Sequence, residues 1–254
     1  MRTEPPKSEQ GSTAVSVIIP TLNEEKLISQ ALAQFTPELK KKYSIEIIIS
    51  DGGSTDKTIE YSKKYCPEKI ITLQKDTKQN ISMGRNAGAF GSSGDILYFF
   101  NCDTIIHNID EFFSTTLEKF SDPKIIALTC NVRVFPADVK MSDILFHKFY
   151  NTYAFLLNKV GIGMGRGECH MVKREYFFKL NGYNEQMAAG EDFDLYRRLE
   201  KFGKIKFLRN LTIYESPRRY RKFGYRQVFW DWTKNSISVI LRGKSISKVW
   251  EQVR

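Results

Sequence analysis

Ile45-Glu46-Ile47-Ile48-Ile49-Ser50-Asp51-Gly52-Gly53-Ser54-Thr55-Asp56 passes from a β-branched run, through a paired-glycine turn, into the opening of a helix. A short run apolar almost throughout suits a strand covered on both faces, because it leaves no polar side to meet water. Ser54 is a candidate N-cap for the helical stretch expected over 55–65. The same alternation repeats on either side. Residues 15–19 are a strand closed by Pro20, and 24–35 places Leu27, Ile28, Ala31, Leu32 and Phe35 at helical spacing. A brief strand over 70–73, a helix over 81–90 stopped by glycines 91 and 94, and an apolar strand over 96–100 follow. Apolar strands alternating with amphipathic helices predict an α/β fold with a mostly parallel, Rossmann-like sheet and helices on both faces.

Beyond that point the pattern loosens. A helix is expected over 109–120, a long strand over 125–135, and an aromatic-rich helix over 141–160. Gly161, Gly163, Gly165 and Gly167 fall at every second position, which predicts a mobile loop. A strand over 169–172, a helix over 192–202 and a strand over 205–208 complete the body. The expected organisation is a flexible N-terminus over 1–14, one domain over 15–215, and a basic amphipathic C-terminal segment over 216–254.

The chain has 254 residues, 41% hydrophobic and 13% aromatic, enough for one substantial core and unlike a disordered chain. Its cysteines, Cys66, Cys102, Cys130 and Cys169, are scattered singly, with neither the density of a disulfide framework nor the paired spacing of a zinc site. They read as thiols in a reducing compartment. Residues 1–12 are polar, and no apolar run approaches the roughly 18 residues a membrane span needs. The expected location is cytoplasmic, peripheral on the inner face of the membrane. From residue 217 onward ten Lys or Arg stand against Asp231 and Glu251, so that segment carries eight of the ten net positive charges. The body is nearly neutral.

Three acidic clusters are expected at one edge of the sheet. Asp51 and Asp103 each follow an apolar strand, and ligands of open α/β sheets bind outside the carboxyl ends of strands. Asp103 is the metal candidate: a hard carboxylate there can share Mg2+ or Mn2+ with a diphosphate that supplies further oxygen ligands. Asn101 can donate to a phosphate or offer its amide oxygen. Asp51, with Gly53 letting backbone come close, suits contacts to a base or ribose, although such turns also simply join strand to helix. Thr21 and Glu24, just past Pro20, face the same edge, with capping by Asn23 as the alternative role of that turn. Asp56 suits the N-terminus of the helix it opens. Glu191 and Asp192 head a helix, where the dipole alone favours carboxylates; the functional reading makes Asp192 a general base whose proton affinity its neighbour raises. Arg85 either meets phosphate or is a solvated helix arginine. His107, His147 and His170 are isolated and read as structural.

Together these residues resemble a known pattern. Val15-Ser16-Val17-Ile18-Ile19-Pro20-Thr21-Leu22-Asn23-Glu24, Asp51-Gly52-Gly53-Ser54-Thr55-Asp56-Lys57-Thr58, Arg85-Asn86-Ala87-Gly88, Asn101-Cys102-Asp103 and Gly190-Glu191-Asp192-Phe193-Asp194-Leu195 resemble, in order, the motifs of family 2 glycosyltransferases with the GT-A fold. The resemblance covers roughly 15–215. It implies that Pro20, Thr21, Glu24 and Asp51 surround the nucleotide, that Asp103 is the metal-binding member of a D-x-D motif, and that Asp192 is the base of an inverting transfer from a nucleotide-diphospho-sugar. The chain departs from the pattern at Asn101, where the first Asp of D-x-D belongs, and at Gly52, where many members have a second Asp. It has no Q-x-x-R-W motif, which argues against processive polysaccharide synthesis.

The tail mixes Phe223, Tyr225, Phe229, Trp230, Trp232 and Leu241 with arginine and lysine. Such a helix lies well on an anionic bilayer, and the expected acceptor is therefore a polyprenyl phosphate or lipid-linked sugar. The same composition fits a helix docked on the domain with its charges in water. Arg218, Arg219 and Arg221 also suit a phosphate clamp. Two rival classes are a basic nucleic-acid binder and a nucleotidyltransferase. The near-neutral body and the lack of a base-reading module oppose the first, so no nucleic-acid partner is expected. The lack of a Gly-rich, lysine-bearing phosphate loop opposes the second.

Overall fold

The computed structural model describes residues 15–73, 80–247 and 253. The N-terminal segment 1–14 lies outside them, as do 74–79 and, from the basic segment, Lys248, Glu251 and Arg254.

The first half of the chain is β1 (Val15–Thr21), α1 (Ile28–Ala33), α2 (Pro37–Tyr43), β2 (Ile45–Asp51), α3 (Thr58–Lys63), β3 (Lys69–Thr72), α4 (Ile81–Gly91) and β4 (Ile96–Phe100). The second half is β5 (Ile105–Ile106), α5 (Ile109–Phe120), β6 (Ile125–Val134), α6 (Met141–Lys159), β7 (Cys169–Lys173), α7 (Arg174–Lys179), α8 (Glu191–Leu199), β8 (Lys204–Glu215), α9 (Arg218–Phe223) and α10 (Tyr225–Arg242). The eight strands of the described residues join one sheet in the order β3-β2-β1-β4-β7-β6-β8-β5. The pairs β3/β2, β2/β1, β1/β4 and β6/β8 are parallel, while β4/β7, β7/β6 and β8/β5 are antiparallel.

Period two explains the two covered faces. Val17, Ile19, Ile47, Ile49, Tyr98 and Phe100 point into one core, where Phe112 and Phe113 of α5 meet them. The residues between them, Ile18, Ile48, Leu97 and Phe99, enter the opposite core with Phe177, Leu195 and Tyr196. Strands buried on both sides can be apolar throughout, as β4 is.

Register then brings remote segments together. Thr21 lies opposite Asp51, and Ile18 opposite Phe99, so β1, β2 and β4 end at one edge of the sheet. β7 runs the other way with Cys169 opposite Phe100, which delivers the residues before Cys169 to that same edge. β8 ends at Glu215, and α9 turns back across the edge from there.

Four local expectations are corrected. The glycine-rich run is packed rather than mobile: residues 163–166 are buried, and a side chain on Gly163 or Gly165 would come within 2.5 Å of the Tyr196 carbonyl or 2.6 Å of its ring. Those glycines permit close approach to α8. Neither Asn23 nor Ser54 caps a helix. Asn23 adopts a positive φ of 53° and its Oδ1 accepts from the Thr55 amide, while the Ser54 hydroxyl accepts from the Asn23 amide; the two turns brace each other. The first helix begins only at Ile28, since the amides of Glu24 and Glu25 donate to Thr58 and Asp56 instead. β8 continues to Glu215, well past the expected 208, because β6 offers it a full-length parallel partner.

Candidate active site

The cleft at that sheet edge encloses about 370 Å³. Pro20, Thr21, Glu24, Arg85, Asn101, Asp103, Glu191 and Asp192 all line it. Asp51 and Gly53 do not. The Asp51 carboxylate is buried and saturated from its own neighbourhood: it accepts from the amides of Gly53 at 2.9 Å and Ser54 at 2.8 Å, from the Ser54 hydroxyl, and from Thr21 Oγ1 at 3.3 Å. Gly53, at a φ of 88°, closes this turn. The turn shapes the wall on which Thr21 and Gly52 sit.

Arg85 is neither solvated nor free. It is buried, its Nη1 donates to Glu191 Oε1 at 2.8 Å, and its Nη2 donates to Asn101 Oδ1 at 3.1 Å and to the Gly167 carbonyl at 2.5 Å. One guanidinium thus ties α4 to the end of β4, to the loop before β7 and to the start of α8. With Asn101 in place of an aspartate, the neighbouring position offers Arg85 a neutral acceptor and Asp103 remains the carboxylate of its motif.

Asp192, half-buried at the head of α8, accepts a bond from the Phe193 amide at 2.8 Å. Burial, and then the adjacent Glu191 carboxylate, push its carboxyl up to about 7. Glu191 is held in the ion pair with Arg85, so the two neighbouring acids have separate surroundings. Among the described residues Asp192 has no such ion pair.

Asp103 meets the arginine-rich helix α9. Arg218 of α9 grips Glu24 with both Nη atoms at 2.8 Å, and its Nε lies 3.4 Å from Asp103 Oδ2. Burial raises the Asp103 carboxyl to about 6, against the pull of Arg218 and with the repulsion of Glu24 and Glu168. Among the described residues no group of three or more His, Cys, Asp or Glu side chains is placed to hold a metal by itself. The donor set nonetheless fits a hard divalent cation that takes its remaining ligands from a diphosphate, since Asp103 and Glu24 converge on one positive charge.

The sequence reading missed the far wall. Arg166 is buried, stacks 4.6 Å above Tyr150, and donates through Nε to Glu168 at 3.3 Å. Burial raises the Glu168 carboxyl, but the Arg166 charge outweighs it and holds that group below its ordinary value. Burial, then the charge of Glu168, drives the Glu215 carboxyl well above its ordinary value, and Tyr220 donates to it at 2.8 Å. His147 is pushed down to about 3 by burial and then by Arg166, in keeping with a structural role. The usable signal for Glu168 lay in its place: a carboxylate just before an antiparallel strand reaches the same edge as one just after a parallel strand.

The family sequence model described as Glycosyl transferase family 2 matches residues 16–180. The chain belongs to that family. Among its relatives, the probable glycosyltransferase YdaM of Bacillus subtilis (strain 168) is 27% identical, over 90% of this chain and 56% of its own length. The dolichyl N-acetyl-alpha-D-glucosaminyl phosphate 3-beta-D-2,3-diacetamido-2,3-dideoxy-beta-D-glucuronosyltransferase of Methanococcus voltae is 24% identical, over 80% of this chain and 66% of its own. The chain thus spans less than two thirds of these curated relatives. The mannosyltransferase PcManGT of Pyrobaculum calidifontis, solved with GDP-Man and Mn2+, superimposes with a TM-score of 0.71 at 18% identity, covering 96% of this chain and 66% of that one. The architecture is therefore the GT-A fold of this glycosyltransferase family, built on a mixed eight-stranded sheet.

Proposed function

We propose that the cleft binds a nucleotide-diphospho-sugar and transfers its sugar, with inversion, to an acceptor hydroxyl or phosphate on a lipid-linked molecule at a membrane surface. The observation that carries this reading is the pairing, in one cleft, of a carboxylate suited to a cation with a half-buried carboxyl raised to about 7. A base poised near neutral pH can take the acceptor proton as the nucleophile attacks the sugar carbon, and the Asp192 carboxylate has that property. Glu191 and Arg85 position it. Thr21 and Glu24 lie on the nucleotide side, with Pro20 and the braced Asp51 turn behind them. Asp103, with Glu24, would hold Mg2+ or Mn2+, and a cation there would offset the negative charge that develops on the departing diphosphate.

Two likenesses support the donor and acceptor classes: the mannosyltransferase was solved with GDP-Man and Mn2+, and the Methanococcus enzyme is named for a dolichyl-phosphate-linked acceptor. A panel of UDP-, GDP- and dTDP-sugars with Mn2+, scored by thermal shift and by release of nucleotide, tests the donor. One nucleotide class should raise the melting temperature, since a ligand of the native state alone stabilises it by mass action. Absence of stabilisation by every donor would sink the reading.

A further inference from the structure

α6 turns apolar side chains outward. Asp143, His147, Asn151 and Asn158 face inward and are buried, whereas Met141, Ile144, Leu145, Phe149, Leu156 and Val160 face outward and are 48–69% exposed. Three of these inward polar groups, Asp143, Asn151 and Asn158, are held by hydrogen bonds. Asp143 takes both Nη atoms of Arg221, Asn151 exchanges two bonds with the Val132 backbone at 2.9 and 3.1 Å, and Asn158 exchanges two with Met164 at 2.8 Å. Tyr150 and Ala154 of α6 also pack into the domain, so the outward apolar stripe is a second one, where an ordinary surface helix turns charged and polar residues to water. Continuous exposed apolar surface of this kind marks an interaction site.

The stripe continues onto α10. Val228 and Val239 are buried and the Trp232 ring packs 5.0 Å from that of Tyr150, so the helix docks on the domain as one sequence reading expected. A second face nevertheless leaves Trp230, Ile237, Ile240 and Leu241 exposed. Phe149 of α6 lies 5.9 Å from Phe229, which in turn lies 5.9 Å from Trp230, joining the two stripes. Exposed cations accompany them: Lys148 and Lys159 on α6, and Arg226, Lys234, Arg242 and Lys244 along or just past α10, against one exposed acid, Asp231.

We propose that the outer faces of α6 and α10 form one docking surface for an anionic lipid bilayer. Apolar side chains interspersed with cations suit the boundary between acyl chains and acidic headgroups. A second copy of the chain fits poorly, because a two-fold contact would set these cations against their own counterparts. No helix among the described residues is long and apolar enough to cross a membrane, so the contact is with the bilayer surface. Tyr150 of α6 and Trp232, Asn235 and Ser236 of α10 also line the cleft, which puts the docking surface beside the site. The inference rests on the proposed function only in giving the cleft a lipid-anchored acceptor.

Co-sedimentation with phosphatidylcholine vesicles, with and without phosphatidylglycerol, tests it. The chain should bind the phosphatidylglycerol vesicles at least about tenfold more tightly, and added salt should weaken that preference. Leu145→Glu with Phe149→Glu, and separately Ile237→Glu with Leu241→Glu, should each reduce binding about tenfold or more, while Tyr65→Glu, outside both helices, should not. The melting temperature and its response to donor should be retained in all of them. Failure to bind either vesicle, equal binding to both, or α6 and α10 variants that bind like the parent would overturn the proposal. So would a parent dimer that these variants dissociate, which would assign the face to a second copy. Vesicle binding without any donor response would sink the transferase reading and leave the docking surface standing.

Discussion

Asp51 and Asp103 end, or immediately follow, the two strands that flank β1, and in sequence they are the same feature: an aspartate after an apolar run. Their surroundings are opposite. Asp51 collects its donors from its own turn and from Thr21 on the adjoining strand. Asp103 has one bond from its own backbone amide, and its charge partner is the Arg218 guanidinium, 3.4 Å away on α9 far along the chain. A carboxylate satisfied by its own turn is scaffold, because any ligand would have to displace several backbone and hydroxyl donors to reach it. One neutralised from a distance, with its proton affinity raised, remains open to exchange its partner for a ligand. Asp192 belongs with Asp103 in this division, and mutation can break the contrast at each position.

The largest effect is expected at Asp192. Asp192→Asn should lower transfer by roughly 10²–10⁴-fold, the range that general-base catalysis contributes, while leaving the melting temperature and its donor response intact. The pH profile carries the same information with a definite sign. The proposed base, Asp192, would work when ionised, and burial followed by Glu191 raises its carboxyl to about 7, so transfer should fall as pH drops through that value. The fall should approach tenfold per pH unit in kcat/KM. In the variant that limb should vanish from the residual activity. Full activity in Asp192→Asn would remove the base from the site.

Asp51→Ala should act on the fold. Removing a buried acceptor leaves the Gly53 and Ser54 amides without their partner, and about 2–3 kcal/mol of stability should be lost in urea unfolding. Donor affinity, measured where the variant is fully folded, should change much less than stability. Unchanged stability with lost donor binding would move Asp51 from scaffold to ligand contact and erase the distinction drawn here.

The sheet's parallel half was legible because strands such as 45–49 and 96–100 are apolar throughout, and only burial on both faces tolerates that. The edge position of Asp103 followed directly. The difference between Asp51 and Asp103 was not legible, since it depends on how the turn after Asp51 folds back onto the carboxylate and on Arg218, whose proximity to Asp103 only the fold creates. Nor was the antiparallel placement of β7 between β4 and β6, which turns Arg166 and Glu168 into cleft walls. The alternating glycines misled for a related reason. Small residues at every second position read as freedom, but here the missing side chains are replaced by the packed ring and backbone of Tyr196.

The smallest expected effect bears on the charge that separates Asp103 from Asp51. On the proposed reading Arg218 and a divalent cation would compete for the same two carboxylates, Glu24 and Asp103, so Arg218→Gln should strengthen nucleotide-free Mn2+ binding. Arg218 is about a quarter exposed, and solvent screens much of its interaction, so the gain should be modest, on the order of tenfold or less. Titration of Mn2+ followed by electron paramagnetic resonance reads it directly, without turnover. The same variant with nucleotide present should show a smaller gain or a loss, because a guanidinium released from Glu24 can pair with the diphosphate. Weaker Mn2+ binding without nucleotide would mean that Arg218 supports the metal site, and Asp103 would then be as firmly held in place as Asp51.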